Sequence, residues 1–174
     1  MPEAPRETWI TWVALTATVL AVLAAIAALR AASYSTKVQL ATTKEANQWA
    51  YYQAKSIKEH TYTVNRDILA SVRLLDSKNP KTQKFLADKI KEYDGEISRY
   101  DQEKYEIKKG AEVLIKEQEG YKQKNGDFAL AVMLLQIAIM CSAVGALIKK
   151  KIMWLLGLIL GGWGTFYVVM GFIR

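Results

Sequence analysis

Three long stretches without a charged residue constrain this chain more than any other feature. They are residues 9–29, 128–148 and 152–173. A helix needs about 20 apolar residues to cross the roughly 30 Å hydrocarbon core of a bilayer, because each residue adds about 1.5 Å. The sequence therefore predicts an all-α integral membrane protein with three transmembrane helices. The predicted spans are 8–30, 127–148 and 152–174, and residues 1–7 form a flank before the first.

The first apolar stretch has a second interpretation, as a cleaved signal peptide. Its apolar run is longer than the 7–15 residues usual in a signal peptide, and no basic segment precedes it, since Glu3 and Glu7 offset Arg6. Small residues near Ala28 and Ala32 resemble a cleavage site. We expect the stretch to be retained as a span, and its removal stays the alternative.

The segment between the first two spans, residues 31–126, predicts a long antiparallel helical hairpin. Its charges alternate in sign along the chain, which is typical of a solvated helical surface. The turn signal is Ser77-Lys78-Asn79-Pro80, because proline cannot continue a helix. We expect two arms of about 65 Å each at about 1.5 Å per residue. Asn125-Gly126-Asp127 is expected to break the second arm before the second span, with Asp127 as a helix cap.

The second arm carries a heptad pattern from Leu86 to Tyr121, which predicts coiled-coil packing. A looser stripe in the first arm runs from Val38 through Trp49, Ile57 and His60 to Leu75. We expect these stripes to face each other or the same stripes of another chain. The predicted packing residues of the hairpin are Trp49, Tyr52, Ile57, Tyr93, Ile97, Tyr100, Ile107, Leu114 and Tyr121.

Small residues predict where the spans pack, since they let helix backbones approach closely. The third span has a GxxxG face, and the first has alanines at near-helical spacing. Helix three is expected to pack on helix one or on another chain, and Gln136 to hydrogen-bond to a neighbouring helix. The predicted packing residues are Ala17, Ala21, Ala25, Gln136, Gly157, Gly161 and Gly164.

Lys149, Lys150 and Lys151 form a basic turn between the second and third spans. Short loops rich in lysine stay in the cytoplasm, whereas long segments cross the membrane largely regardless of charge. The turn predicts a cytoplasmic N-terminus and a periplasmic hairpin. Basic residues such as Arg30 and Lys124 flank the other side and favour the opposite orientation.

The sequence offers no reactive constellation. It has one histidine and one cysteine, and Cys141 lies inside an apolar run, which excludes a cysteine metal site within one chain. The net charge is +7, but it is interleaved rather than gathered into a nucleic-acid-binding stripe. We expect no enzyme activity, no cofactor, no metal, no nucleic-acid partner and no small-molecule substrate.

Two segments carry a family resemblance, NQWAYYQAKSIK at 47–58 and LQIAIMCSAVGAL at 135–147. With the preceding apolar helix and the charged coiled region, the chain resembles the bacterial family called domain of unknown function 4337. The resemblance implies a bacterial inner-membrane protein with three spans. It brings no activity, substrate or catalytic residue.

The sequence leaves three functions open. In the first and favoured one, the chain is expected to be a membrane-anchored scaffold that self-associates or docks a partner through its hairpin and its glycine-rich third span. Alternatively, it is an accessory subunit of a larger membrane enzyme or transport complex. A small homo-oligomeric channel is disfavoured, because the spans lack a ring of charged residues. The expected partners are the lipid bilayer and either further copies of the chain or a larger membrane complex.

Overall fold

A computed structural model describes residues 8–75 and 79–173 of the chain. Within these ranges it contains three helices and no strand: α1 (Thr8–Leu75), α2 (Pro80–Leu147) and α3 (Lys151–Ile173). The all-helical class is confirmed, and the two helices of 68 residues each form a hairpin-like pair. All three helices contain a window long and apolar enough to cross a membrane.

The predicted break at residues 125–127 is wrong. The second helix continues through Asn125, Gly126 and Asp127 without interruption, and Gly126 does not take a positive φ. A single glycine costs only about 1 kcal/mol relative to alanine inside a helix. The hydrogen-bond ladder on both sides offsets that local cost, so the second arm and the second span form one helix.

The start of α2 follows the predicted turn signal. The side-chain Oδ1 of Asn79 accepts a hydrogen bond from the Lys81 amide at 3.0 Å, which makes Asn79 the N-cap. Pro80 occupies the first helical position, where its missing N–H costs nothing. The other two residues of the predicted turn, Ser77 and Lys78, lie outside the described residues.

The basic turn has the geometry of a Schellman motif. Lys149 takes a positive φ of 55°, the left-handed conformation that ends many helices. The Lys150 amide donates to the carbonyl of Gly145 at 3.1 Å, and the Lys149 amide donates to that of Ala146 at 3.4 Å. These bonds satisfy the last carbonyls of α2, so α3 can start at Lys151 after a very short connection.

The chain divides into two compact units. The three-helix unit contains α1 up to Gln39, α2 from Gln118 and all of α3. The two-helix unit, Leu40–Glu117, contains the remainder of α1 and α2.

The core of the three-helix unit combines small and large apolar side chains from all three helices. Phe128 and Leu135 of α2 are fully buried. Tyr34 of α1 stacks on Phe128 with ring centroids 5.8 Å apart, and Phe172 meets the same ring edge-on at 5.3 Å. The core cluster consists of Leu20, Ala24, Ala27, Phe128, Ala131, Leu135, Ala138 and Val168.

The glycine face of α3 packs inside the chain. A Cβ added to Gly161 would stand 2.8 Å from Cδ2 of Leu20 on α1. Added at Gly157 it would stand 2.6 Å from Oγ of Ser142, and at Gly164 2.8 Å from Cγ of Leu135. These glycines let α3 lie against both α1 and α2. Of the two arrangements left open by the sequence, the structure contains the one within a chain.

The predicted alanine face of α1 is rotated away from the observed one. Ala21 and Ala25 are exposed, Ala17 is half-buried, and the core residues are instead Ala24 and Ala27. Alanine is so frequent in this span that several faces look equally small. The packing partners select one of them.

Gln136 lies on the exposed side of α2, in the middle of an apolar segment. It makes no hydrogen bond with the described part of the chain. The predicted hydrogen bond to a neighbouring helix is not made within the described part of the chain, and a bond to a helix of another chain stays a prediction.

Candidate interaction surface

The two-helix unit is an antiparallel pair whose α2 seam follows the predicted heptad. Every predicted position from Leu86 to Leu114 is buried or half-buried, including Tyr93, Ile97 and Tyr100. Ile107 is buried beside the fully buried Ala111. The heptad on α2 therefore marks the face that packs on α1.

The matching face of α1, here called the inner seam, is largely polar. Its members recur at alternating spacings of four and three residues, and all are buried or half-buried. The inner seam consists of Ala41, Glu45, Gln48, Tyr52, Lys55, Glu59, Tyr62, Arg66 and Leu69. Its spacing is that of a helix-packing repeat, but its chemistry is ionic and aromatic.

Ion pairs join the inner seam to α2. Lys55 Nζ lies 2.5 Å from Oε2 of Glu103, and both side chains are partly shielded from solvent. Lys104, which occupies a core position of the α2 heptad, pairs with Glu59. Nearer the tip of the hairpin, Arg66 Nη1 lies 3.3 Å from Oδ1 of Asp94. Each of these inward-facing side chains is stabilised by a side chain of opposite charge on the other helix.

The ion pairs shift the titration of their members. The hydrogen bond with Lys55 is the main cause that lowers the pKa of Glu103, and the same bond raises the pKa of Lys55. The hydrogen bond with Glu59 raises the pKa of Lys104. Each shift favours the charged form, so the seam is ionic over a broad pH range.

One aromatic residue outside the predicted packing set joins the two arms of the hairpin. Tyr62, absent from the predicted set, contacts Tyr93 edge-on at 5.4 Å and stacks on Tyr100 at 5.7 Å. Tyr121 lies in the three-helix unit, where its ring is 6.4 Å from that of Tyr34.

Trp49 and Tyr52 contact each other on α1. The two rings meet edge-on at 5.7 Å, and the Trp49 indole N–H donates to Oε1 of Glu45 at 3.4 Å. Tyr52 also lies opposite Lys104 of α2, whose Nζ is 6.0 Å from its ring.

The opposite side of α1, here called the outer face, carries the apolar stripe of the first arm. All of its residues are uncharged and exposed. Ile57 is 68% exposed and Ile68 54% exposed. The outer face consists of Ala46, Ala50, Ala54, Ile57, Thr61, Val64, Ile68 and Val72.

Ile57 therefore lies on the side of α1 that faces away from α2, and its packing against another chain stays a prediction. Apolar residues usually mark the buried side of a helix, so the apolar stripe of α1 was expected to face α2 or the same stripe of another chain. In the structure, α2 takes the charged side. The repeat of Lys55, Glu59 and Arg66 at helical spacing is a sequence signal for this face, and it complements Glu103, Lys104 and Asp94.

The described residues contain no group of three or more His, Cys, Asp or Glu side chains able to hold a metal. His60 is exposed beside the outer face.

A shallow surface cleft of about 430 Å³ lies in the two-helix unit, lined by Tyr52, Ser98, Asp101, Gln102, Lys104, Tyr105 and Lys108. Lys104 in this lining pairs with Glu59.

The family model described as domain of unknown function (DUF4337) matches residues 9–174, nearly the whole chain. The chain belongs to the DUF4337 family. No curated protein and no solved structure matches it. Both segments that carried the resemblance, 47–58 and 135–147, fall inside the match. In this DUF4337 member, segment 47–58 includes Ala50, Ala54 and Ile57 of the outer face.

Proposed function

We propose that this protein is a non-catalytic membrane-anchored scaffold, which associates with another protein through the outer face of α1. Three apolar helices form the anchor in a bacterial inner membrane, and the two-helix unit carries the binding surface. One observation carries the proposal: in the two-helix unit, α1 turns its charged side toward α2 and its uncharged side outward.

The energetics support a protein partner for this face. An exposed row of isoleucine and valine gains roughly 25 cal/mol for each Å² removed from water. Contiguous apolar surface rimmed by polar residues is typical of interaction sites. The regular spacing of the row, from Ile57 through Val64 to Ile68, fits a helix as the partner.

Site-specific photo-crosslinking in native membranes tests the proposal. A photoreactive phenylalanine analogue replaces Ile57 or Ile68 on the outer face, and Tyr105 serves as an exposed control on α2. We expect adducts heavier than one chain from the two outer positions and few from Tyr105. Absence of adducts at both outer positions would contradict the proposal.

Gln136 favours the second candidate, an accessory subunit in a larger membrane complex. An amide that faces lipid lacks hydrogen-bond partners, and a polar residue on a partner span can supply them. A photoreactive group at Met133 or Met140, which are exposed on the same segment, identifies such a span. Adducts with a different membrane protein would support this candidate over the scaffold.

The proposed orientation places the N-terminus and the basic turn in the cytoplasm and the hairpin in the periplasm. Alkaline phosphatase inserted between residues 77 and 80 should be active, since it folds only after export. An inactive phosphatase, together with fluorescence of a cytoplasmic reporter at the same site, would reverse the orientation.

A further inference from the structure

We propose that the three-helix unit binds the headgroup of an anionic phospholipid, at the end of the spans from which the hairpin emerges. The ligand atoms are phosphate oxygens, and the protein groups are the cations of Arg30, Lys37 and Lys124. This inference rests on the membrane anchor of the proposed function and is independent of the outer face.

The three charge-free stretches of the sequence all end at this place in the three-helix unit. Arg30 directly follows the first stretch, Phe128 begins the second, and Phe172 lies at the end of the third. These ends meet, because the ring of Phe172 contacts that of Phe128 at 5.3 Å and Arg30 Cζ lies 5.0 Å from the centre of the Phe172 ring. A change from apolar to charged residues in all three helices marks the boundary between the hydrocarbon core and the headgroups. The cations therefore lie at the depth of the lipid phosphates.

Four aromatic rings, here called the ring row, connect the three helices at this boundary. The row consists of Tyr121, Tyr34, Phe128 and Phe172, and neighbouring ring centroids are 6.4, 5.8 and 5.3 Å apart in that order. Phe128 is fully buried in the core of the unit. The ring row is therefore held in place by the packing of the spans.

Two lysines from different helices converge on one ring of the row. Lys37 Nζ of α1 is 5.0 Å from the centre of the Tyr34 ring and 5.7 Å from that of Tyr121. Lys124 Nζ of α2 is 5.8 Å from the same Tyr34 ring. A contact with the face of a ring attracts a cation without neutralising its charge. The rings thus position two ammonium groups whose charge stays available to an anion.

These cations have no carboxylate partner within the described ranges of the chain. Arg30, Lys37 and Lys124 form no ion pair with a described residue, whereas Lys55 and Lys104 of the two-helix unit each pair with a glutamate. Arg30 and Lys37 are exposed and Lys124 is half-buried, so a headgroup can reach all three.

The surroundings favour a lipid phosphate over a soluble one. Anionic headgroups are concentrated at the membrane surface, and basic pockets between spans bind acidic headgroups. The rings of Tyr34 and Phe172 lie beside the cations and add apolar surface at the level where the glycerol and the first acyl carbons of a lipid lie. Free phosphate gains the charges but not this apolar contact.

Lipid titration of the full-length chain in mild detergent, followed by native mass spectrometry, tests the inference. Phosphatidylglycerol is the anionic probe, and phosphatidylcholine with the same acyl chains is the zwitterionic control. We expect the first phosphatidylglycerol molecule to bind at least on the order of tenfold more tightly than phosphatidylcholine. Excess inorganic phosphate should leave it bound.

Three double variants assign the binding to these cations. Lys37→Gln with Lys124→Gln should weaken phosphatidylglycerol binding on the order of 25-fold, since each basic residue near an anionic lipid contributes about fivefold. Lys37→Arg with Lys124→Arg changes the same positions but keeps both charges, so it should retain the preference. Lys81→Gln with Lys84→Gln removes the same charge from exposed positions in the first turns of α2 and should bind as wild type.

The contrary outcomes are specific. Equal affinity of the wild type for the two lipids would overturn the inference, as would unchanged binding by the Lys37→Gln/Lys124→Gln chain. An equal loss in the Lys81→Gln/Lys84→Gln chain would show that only the total charge matters, and an equal loss in the arginine variant would show that the fold and not the charge was changed. Displacement by inorganic phosphate would identify a site for the free anion instead of a lipid.

Failure of the lipid site is distinguishable from failure of the proposed function. Loss of the phosphatidylglycerol preference leaves the crosslinking expected at Ile57 and Ile68 unchanged, so the scaffold would stand without the lipid. Release of the chain from membranes by alkaline carbonate without detergent would overturn the membrane anchor and the lipid site together.

Discussion

Gly161 of α3 lies so close to Leu20 of α1 that a Cβ added to the glycine would stand 2.8 Å from the leucine Cδ2. Real Cβ atoms essentially never approach another heavy atom so closely, so Gly161→Ala must displace the helix or the leucine. Because the atoms met are the end of the Leu20 side chain, which can shift, we expect a loss at the low end of the overpacking range, about 1 kcal/mol in the free energy of unfolding, measured by thermal melting in mild detergent. Gly162→Ala is the control, because nothing lies within 4 Å of its added Cβ. Equal melting temperatures for the two variants would contradict the packing described for α3.

The Lys104–Glu59 pair predicts a non-additive double mutant. Lys104→Leu alone leaves the Glu59 carboxylate without its cation on a partly buried seam, and we expect a loss of about 1–3 kcal/mol. Adding Glu59→Leu removes the orphaned charge and should recover most of the loss, since apolar pairs often replace ion pairs at no cost. The exposed pair Lys89–Glu92 is the control, where Lys89→Leu should stay within about 0.5 kcal/mol. A double variant as unstable as the sum of the single changes would argue against pairing.

The Lys55–Glu103 pair predicts how the stability of the two-helix unit depends on pH. The folded pKa of Glu103 lies below its unfolded value of 4.5, so its contribution is present above that pH and disappears as pH falls through the folded pKa. The folded pKa of Lys55 lies above its unfolded value of 10.5, so its contribution disappears as pH rises through the folded pKa.

Amide hydrogen exchange of residues 40–117 in the full chain measures this dependence, after correction for the intrinsic exchange rate at each pH. Glu103→Gln should reduce protection near pH 7 and should have progressively less effect below pH 4. A difference from wild type that stays constant down to pH 2 would show that the carboxylate does not stabilise the pair.

The positive φ of Lys149 predicts a stabilising substitution. A residue with a Cβ pays roughly 1–2 kcal/mol in the left-handed region, and glycine avoids this cost. Lys149→Gly should therefore raise the free energy of unfolding by about 1 kcal/mol. Lys150→Gly removes the same charge where φ is not positive, and it should give no gain. If both variants stabilise equally, charge removal and not backbone conformation is the cause.

Much of the fold could be predicted from local signals. The apolar spans, the Asn79-Pro80 helix start and the α2 heptad each combine several residues that favour one structure. The break at 125–127 was predicted wrongly, because three unfavourable residues are outweighed by the hydrogen bonds of a long helix. The alanine face of α1 was predicted on the wrong side of the helix because Ala21, Ala24 and Ala25 have side chains of the same size. Only contact with the neighbouring helices decides which of them is buried.

The seam of α1 shows why the interaction surface was harder to predict. Hydrophobic periodicity assigns Ile57 and Ile68 to the buried side, whereas the pairing of Lys55 with Glu103 decides the actual side. Pairing of charges across two arms depends on which residues lie opposite each other, and this register is set by the turn and by the α2 heptad. A pattern read along one helix lacks that information.

The ionic composition of the inner seam makes the two arms sensitive to dissolved salt. Attraction between partly exposed charges is screened over about 8 Å at physiological ionic strength and about 3 Å at 1 M salt. The apolar contacts of the three-helix unit carry no comparable dependence. High salt should therefore weaken the pairing of the two arms in the two-helix unit, while it leaves the packing of the three-helix unit largely unchanged.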